Sequence, residues 1–190
     1  WDGWFEKQGA TRILERVDCD VEYDDPAAEF TSNALSIFAS MGGGATAQPE
    51  AEAEGQDDPA PPEEAAAAEG EASVGGLEDL LSSGDRSLTL LFGSQSGNSE
   101  GLAAKIAKDA KAYGLEGEVH DMDGFDFNSL SSKRRVLIVC STWGEGEMPD
   151  NAEELWQFSI SDSASRLEEV HFAILALGDT SYEFFCQSGK

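Results

Sequence analysis

Short apolar runs alternate with helical hydrophobic spacing through the second half of the chain. Strands are predicted for Ser87 to Phe92, Gly117 to Met122, Arg135 to Cys140 and His171 to Leu177. Helices are predicted over Asn98 to Tyr113 and over Asn151 to Ile160, the second with Asp150 as its N-cap. The last two strands are apolar almost throughout, which is typical of strands covered on both faces. This alternation predicts an α/β fold with a doubly wound parallel sheet.

The first 41 residues carry a separate set of elements. Phe5 to Gln8 has the composition of a helix end, closed by Gly9. Thr11 to Val17 predicts a strand, and Pro26 to Met41 predicts an amphipathic helix. One strand and one helix cannot bury a core alone, so this segment requires a partner sheet.

An acidic stretch rich in Ala, Glu, Pro and Gly separates these parts. Residues 42–85 hold 12 acidic residues and no Lys or Arg. Such a segment buries too little apolar surface to offset its ordering entropy, so we predict a flexible linker with one short helical turn at Leu77 to Ser83. The expected division is therefore 1–41, a linker over 42–85, and a main region over 86–190.

The composition narrows the class of protein. A net charge of −26 argues against binding nucleic acid or an anionic membrane and favours basic protein surfaces. A mean hydropathy of −0.36 and the lack of a long apolar run argue against a membrane span. Cys19, Cys140 and Cys186 form no C-x-x-C pair, which predicts a cytoplasmic protein without a disulfide framework or zinc site. Asp18, Cys19 and Asp20 are neighbours on an extended segment, where successive side chains point to different sides, so no metal site is predicted.

The loop after the first predicted strand suits an anion. It consists of Ser94, Gln95, Ser96, Gly97, Asn98 and Ser99, and it opens a helix. A P-loop would need Lys after Gly97, and a dinucleotide fingerprint would need G-x-G-x-x-G; neither is present. A single phosphate held by hydroxyls and amides remains, although an ordinary helix-capping turn explains the same residues.

Two further loops follow the apolar strands. Ser141 to Glu147 contains Trp143, and Leu177 to Cys186 contains Tyr182. A lone aromatic at a strand end is more often a packing residue than a ligand contact. Two aromatics on adjacent loops beside a phosphate-type loop indicate a planar, phosphorylated ligand.

Together these three loops resemble the flavin-binding loops of the FMN domains in NADPH-dependent diflavin reductases of the sulfite reductase type. The similarity runs from about Leu88 to Lys190 at matching spacing. It implies a flavodoxin-like, doubly wound parallel sheet of five strands in the order 2-1-3-4-5. It also implies FMN as the cofactor and one-electron transfer as the function.

The resemblance implies roles for residues of all three loops. The Ser94 to Ser99 loop would hold the FMN phosphate. Trp143 and Tyr182 would sandwich the isoalloxazine ring, although this family often has another residue at the Trp143 position. Gly144 would present its backbone to flavin N5. The ring and ribityl side would be lined by Gly178, Asp179, Thr180 and Phe185. The other implied contacts are Ser141, Thr142, Leu177, Ser181, Glu183, Phe184 and Cys186.

The same family accounts for the N-terminal segment. In its members LGDTSYEFFCQSGK continues into a helix, a Gly, a strand and a final helix, and Trp1 to Met41 resembles that continuation. Two arrangements explain the order: a circularly permuted domain, or a fragment spanning the tail of one flavodoxin repeat and most of the next. Either places Thr11 to Val17 as the fifth strand beside His171 to Leu177, with Asp20 near the flavin edge. In a tandem fragment, two chains could exchange this strand as a swapped dimer.

The implied partners are an FAD- and NADPH-binding reductase domain, in cis or in trans, and a redox acceptor protein. Five acids surround the predicted site and would steer a basic partner: Glu145, Glu147, Asp150, Asp179 and Glu183. They also disfavour an anionic reduced flavin. Two alternatives stay open: a flavin-free acidic docking module of the same fold, and an enzyme acting alone, such as a quinone reductase. No nicotinamide site is recognised, which favours an electron carrier when the chain is isolated.

Overall fold

The computed structural model describes residues 1–41, 84–161 and 164–190. Nearly all of the predicted linker, including its helical turn at Leu77 to Ser83, lies outside the described residues. Within the described part of the chain, no helix combines the length and apolar character needed to cross a membrane.

Helices and strands alternate along the described residues. The α-helices are α1 (Asp2–Lys7), α2 (Asp24–Ser40), α3 (Asn98–Ala110) and α4 (Asp150–Ser159). The strands are β1 (Thr11–Arg12), β2 (Val17–Cys19), β3 (Ser87–Gly93), β4 (Glu116–Asp121), β5 (Arg135–Ser141) and β6 (His171–Leu177). Short 3₁₀ helices cover Lys111–Tyr113, Phe127–Ser132 and Gln187–Gly189. The predicted elements of the second half therefore agree with the structure to within a few residues.

The strands form one parallel sheet in the order β4-β3-β5-β6, with β1 and β2 both beside β6. Strands β1 and β2 thus occupy, one after the other, the edge of the sheet beyond β6. Helices α2 and α3 cover one face of the sheet, and α1 and α4 cover the other. The predicted α/β class with a doubly wound parallel sheet is confirmed.

The strand predicted over Thr11 to Val17 is not continuous. Arg12 lies opposite Phe172 and Val17 opposite Leu175, so five steps along this strand match three along β6. Two extra residues must therefore leave the ladder, one more than in an ordinary β-bulge. Ion pairs on both sides of the break hold it in place: Arg12 Nε lies 2.9 Å from Asp2 Oδ1, and Arg16 Nε lies 2.6 Å from Asp18 Oδ1.

Residues 1–41 complete the core on both faces of the sheet. On one face, the Trp4 ring lies 5.0 Å from the Phe127 ring, and Phe5 lies 5.0 Å from Phe172. On the other face, α2 buries three large side chains, those of Phe30, Leu35 and Phe38. The segment thus packs against the main region as an integral layer.

Candidate functional site

The carboxyl ends of β2, β3, β5 and β6 surround a cleft of about 550 Å³. This volume is within the range of small-molecule sites, and the position is where open α/β sheets bind ligands. Its wall consists of Asp20, Val21, Tyr23, Gln95, Ser96, Asn98, Ser141, Thr142, Trp143, Gly144, Leu177, Gly178, Asp179, Tyr182, Phe184, Phe185 and Cys186. The structure therefore brings all three predicted loops and Asp20 to one cleft.

Some predicted residues do not line the wall, and two wall residues were not predicted. Ser94, Gly97, Ser99, Thr180, Ser181 and Glu183 belong to the same loops but stand behind or beside the wall. Val21 and Tyr23 are additional wall residues. They follow Asp20 in the sequence, so extending the Asp20 prediction by three positions would have found them.

The first loop presents backbone and hydroxyl donors at the start of α3. Ser94 Oγ accepts the N–H of Gly97 at 2.9 Å and that of Ser99 at 3.3 Å. Gly97 adopts a left-handed φ of +87° immediately before α3, a conformation that favours glycine. Ser99 is fully buried, and its hydroxyl has no hydrogen-bond partner among the described residues. Ser99 is not part of the cleft wall, so this unpartnered hydroxyl lies behind it at the helix N-terminus.

The second loop is a tight turn that holds an aromatic side chain outward. Trp143 and Glu147 exchange backbone hydrogen bonds of 3.0 and 2.8 Å, and Gly144 between them has φ +50°. The Trp143 side chain is 52% exposed beside the cleft. A Cβ at Gly146 would lie 2.8 Å from Phe184 Cβ, so the absence of a side chain lets this loop pack against the third.

The third loop approaches its own backbone closely after β6. A Cβ at Gly178 would meet the backbone nitrogen and Sγ of Cys186, each at 2.9 Å. Cys186 itself has φ +51°. Tyr182 is 64% exposed at the cleft, on the loop adjacent to that of Trp143. The two large rings are therefore available to a planar ligand.

Asp20 joins the N-terminal segment to the third loop. Its carboxylate accepts the backbone N–H of Thr180 at 3.1 Å and the Thr180 hydroxyl at 2.5 Å. These hydrogen bonds, with one from the Val21 N–H, lower the pKa of Asp20 below its usual value. The Gly178 N–H also donates to the Cys19 carbonyl at 2.9 Å. Residues 1–41 therefore position one side of the cleft.

The three cysteines are unsuited to nucleophilic chemistry. Burial raises the pKa of Cys19 and of Cys140 to about 11, and that of Cys186 to about 12. All three thiols are thus protonated near neutral pH, and a thiol is a poor nucleophile. Cys186 contributes shape to the cleft wall.

The model of the family described as "Flavodoxin" matches residues 90–190. This is more than half of the 190 residues. The chain belongs to the flavodoxin family. Flavodoxins bind FMN and transfer electrons with it, which agrees with the predicted cofactor.

Curated relatives of this flavodoxin region are parts of longer proteins. The chain is 47% identical over 103 residues to the sulfite reductase [NADPH] flavoprotein alpha-component of Vibrio parahaemolyticus, covering 54% of this chain and 16% of that protein. It is 47% identical over 105 residues to the protein of the same name from Bacillus subtilis, covering 55% and 17%. The chain thus spans about one sixth of the length of these relatives.

Solved flavodoxin structures are also similar to the chain. A variant flavodoxin from Pseudomonas aeruginosa is 31% identical, with a TM-score of 0.48, covering 54% of this chain and 69% of that one. Flavodoxin 1 from Bacillus cereus is 25% identical, with a TM-score of 0.46 and the same coverage.

The cleft of this flavodoxin fits FMN. The N-terminus of α3, whose loop contributes Gln95, Ser96 and Asn98 to the wall, suits one phosphate group, and the unpartnered Ser99 hydroxyl lies behind that wall. Exposed Trp143 and Tyr182 suit the two faces of a flat ring. Among the described residues, the wall carries carboxylates but no Lys or Arg, so none of them offers a cation to a second phosphate. When bound, FMN supplies the redox chemistry, and the protein's groups bind and orient it.

Proposed function

We propose that this chain passes single electrons from an FAD- and NADPH-binding reductase module to an acceptor protein, as part of a sulfite reductase-type flavoprotein. The observation that carries the proposal is the cleft itself, in which two exposed aromatic side chains, Trp143 and Tyr182, stand near the start of α3. The named relatives, which extend far beyond this region, support a reductase module elsewhere in the intact protein or in a second chain.

The proposed contacts with FMN divide by loop. Residues 94–99 bind the phosphate, and Trp143 and Tyr182 stack on the ring. Gly144 presents its backbone to N5, while Asp20 holds the third loop through Thr180. The remaining contacts of the third loop and of Ser141 and Thr142 surround the ring and ribityl chain.

The proposed partners are recognised by charge. Glu145, Glu147, Asp150 and Glu183 are exposed around the cleft, and Asp179 is half-buried there. An acidic rim accelerates encounters with a basic surface and repels a second acidic one. Both the reductase module and the acceptor should therefore dock through Lys- and Arg-rich surfaces. The three free, buried cysteines are consistent with a cytoplasmic location.

We also propose that residues 1–41 act as the last strand and helix of the domain, with 42–85 as the tether to residues 86–190. The pairing of β1 and β2 with β6 supports this division. A chain that closes on itself is expected to be a monomer, and a strand-swapped dimer is the alternative that sedimentation would detect.

The experiment is to reconstitute the purified chain with flavin, remove free flavin, and identify what denaturation releases. We expect one FMN per chain and no FAD. Dithionite should reduce the bound flavin, whereas NADPH should do so only when a reductase module is added. A chain that retains no flavin would instead be a docking module, and unaided NADPH oxidation would make it an enzyme by itself; either result contradicts the proposal.

Replacing the aromatics should weaken flavin binding. Trp143→Ala and Tyr182→Ala are each expected to cost about 1–3 kcal/mol of binding free energy, the range measured for bases stacked on aromatic side chains. Both side chains are exposed, at 52% and 64%, so the fold should be unaffected. Fluorescence titration with FMN measures the change, and Ile160→Ala, at an exposed site outside the cleft wall, is the control. Unchanged affinity in both variants would place the ring elsewhere.

A further inference from the structure

The side chain of Asn151 connects the phosphate loop to a neighbouring strand. Its Oδ1 accepts the Ser94 backbone N–H at 2.9 Å, and its Nδ2 donates to Asp121 Oδ1 at 2.9 Å. A backbone N–H only donates and an ionised carboxylate only accepts, so the two partners fix the orientation of the amide. Asn151 lies in the first turn of α4, and Asp121 ends β4.

A second, more exposed contact joins the phosphate loop to the first turn of α4. Gln95 Nε2 donates to Asp150 Oδ2 at 2.9 Å, and the Asp150 N–H donates to Gln95 Oε1 at 3.1 Å. The first turn of α4 therefore holds two consecutive residues of the loop. Of these contacts, the hydrogen bond between the Ser94 N–H and Asn151 is partly buried and is therefore less open to competition from water, whereas the hydrogen bond from Asn151 to Asp121 is exposed.

The position of Ser94 affects the geometry of the whole phosphate loop. The Ser94 hydroxyl orients the N–H groups of Gly97 and Ser99. Since the loop contains no Lys or Arg, its attraction for a phosphate depends on the direction of its N–H and O–H groups. A small displacement of Ser94 would remove the acceptor of both N–H groups and so disturb the geometry of the whole loop.

We propose that Asn151 is a positioning residue for phosphate recognition, acting through Ser94 with Asp121 as its anchor. The proposal rests on the proposed FMN function. Asn151 is not part of the cleft wall, so its effect is transmitted by the loop. Its neutral amide also separates the Asp121 carboxylate from the loop, where a second negative charge would oppose a phosphate.

The test compares FMN with riboflavin, which has the same ring and no phosphate, as ligands of the full chain. Asn151→Asp keeps an acceptor for the Ser94 N–H but sets two carboxylates against each other. We expect its Kd for FMN to rise by roughly tenfold or more, as for the loss of a hydrogen bond to a charged group. The Kd for riboflavin should stay within about twofold, because riboflavin has no phosphate and the substitution alters no contact with the ring.

The reciprocal variant carries both Asn151→Asp and Asp121→Asn. It exchanges the amide and the carboxylate, so one donor and one acceptor face each other again, and most of the FMN affinity should return. Asn128→Asp adds the same charge on an exposed side chain outside the cleft wall and should change neither Kd. Asn151→Ala removes both hydrogen bonds without adding charge and should show a smaller loss with the same selectivity for FMN.

The outcomes separate this proposal from the one that it rests on. Equal losses for FMN and riboflavin, an Asn151→Asp variant that binds FMN like the parent chain, or a reciprocal variant no better than the single one would each overturn the role of Asn151. A parent chain that binds neither FMN nor riboflavin would overturn the proposed function instead.

Discussion

Deletion of residues 1–41 is expected to leave a chain that neither unfolds cooperatively nor binds flavin. Strands β1 and β2 cover the outer edge of β6, which is buried from Phe172 to Leu177. Without them, the backbone N–H and C=O groups of that apolar strand would be free to pair with other chains. Aggregation is the expected consequence.

The deletion also uncovers both faces of the sheet. Six large apolar side chains of the segment are buried: Trp1, Trp4, Phe5, Phe30, Leu35 and Phe38. Burying each is worth about 1.5–3 kcal/mol, and the net stability of a domain is only about 5–15 kcal/mol. The surfaces facing these side chains, including Phe127 and Phe172, would become exposed. Urea denaturation followed by circular dichroism and size-exclusion chromatography measures the result.

Asp20→Ala separates loss of the site from loss of the fold. It removes the hydrogen bonds to Thr180 at a half-buried position outside the core, so FMN affinity should fall several-fold while the urea midpoint changes little.

Coexpression of residues 1–41 with the truncated chain should restore folding, because the two parts meet through non-covalent contacts. A truncated chain that stays soluble, cooperative and flavin-bound would show that the segment is dispensable.

The strands of the second half could be predicted because burial on both faces leaves a local signature. The predicted bounds of β6 are the observed ones, and the observed β5 is longer than its prediction by one residue, Ser141. The three cleft loops could be predicted because each follows such a strand, and the carboxyl ends of parallel strands meet at one edge. Periodicity and loop position thus determined the architecture and the location of the cleft.

Features that depend on partners distant in sequence could not be predicted. The break between β1 and β2 is fixed by pairing with β6 and by the contact of Arg16 with Asp2, and no periodicity encodes either. The contact between Asn151 and Ser94 spans 57 positions. Asn151 in isolation is an ordinary first-turn helix residue, so the sequence pattern gives no sign of its second role.

The burial of Arg135 could not be predicted either, because a charged side chain at the start of a strand is expected to face solvent. It is instead only 2% exposed. Its Nε donates to the Phe38 carbonyl at 3.0 Å, and its Nη1 donates to the Asp85 carbonyl at 2.7 Å. Phe38 lies in the last turn of α2, where carbonyl groups lack partners within the helix. Arg135 therefore joins the end of α2 to the start of the main region.

Arg135→Met is expected to lower the free energy of unfolding by about 2–4 kcal/mol, because it removes two hydrogen bonds from a charged donor and leaves the Phe38 carbonyl without its partner. The stability of Arg135→Lys should lie between that of the parent chain and that of Arg135→Met, since one ammonium group cannot reproduce the planar guanidinium group of Arg. Arg134→Met is the matched control: it removes the same charge one position away at an exposed site and should change stability by less than about 0.5 kcal/mol. Chemical denaturation of the three variants measures the difference. Equal effects of the Arg134 and Arg135 substitutions to Met would mean that net charge, and not the contact with α2, sets the stability.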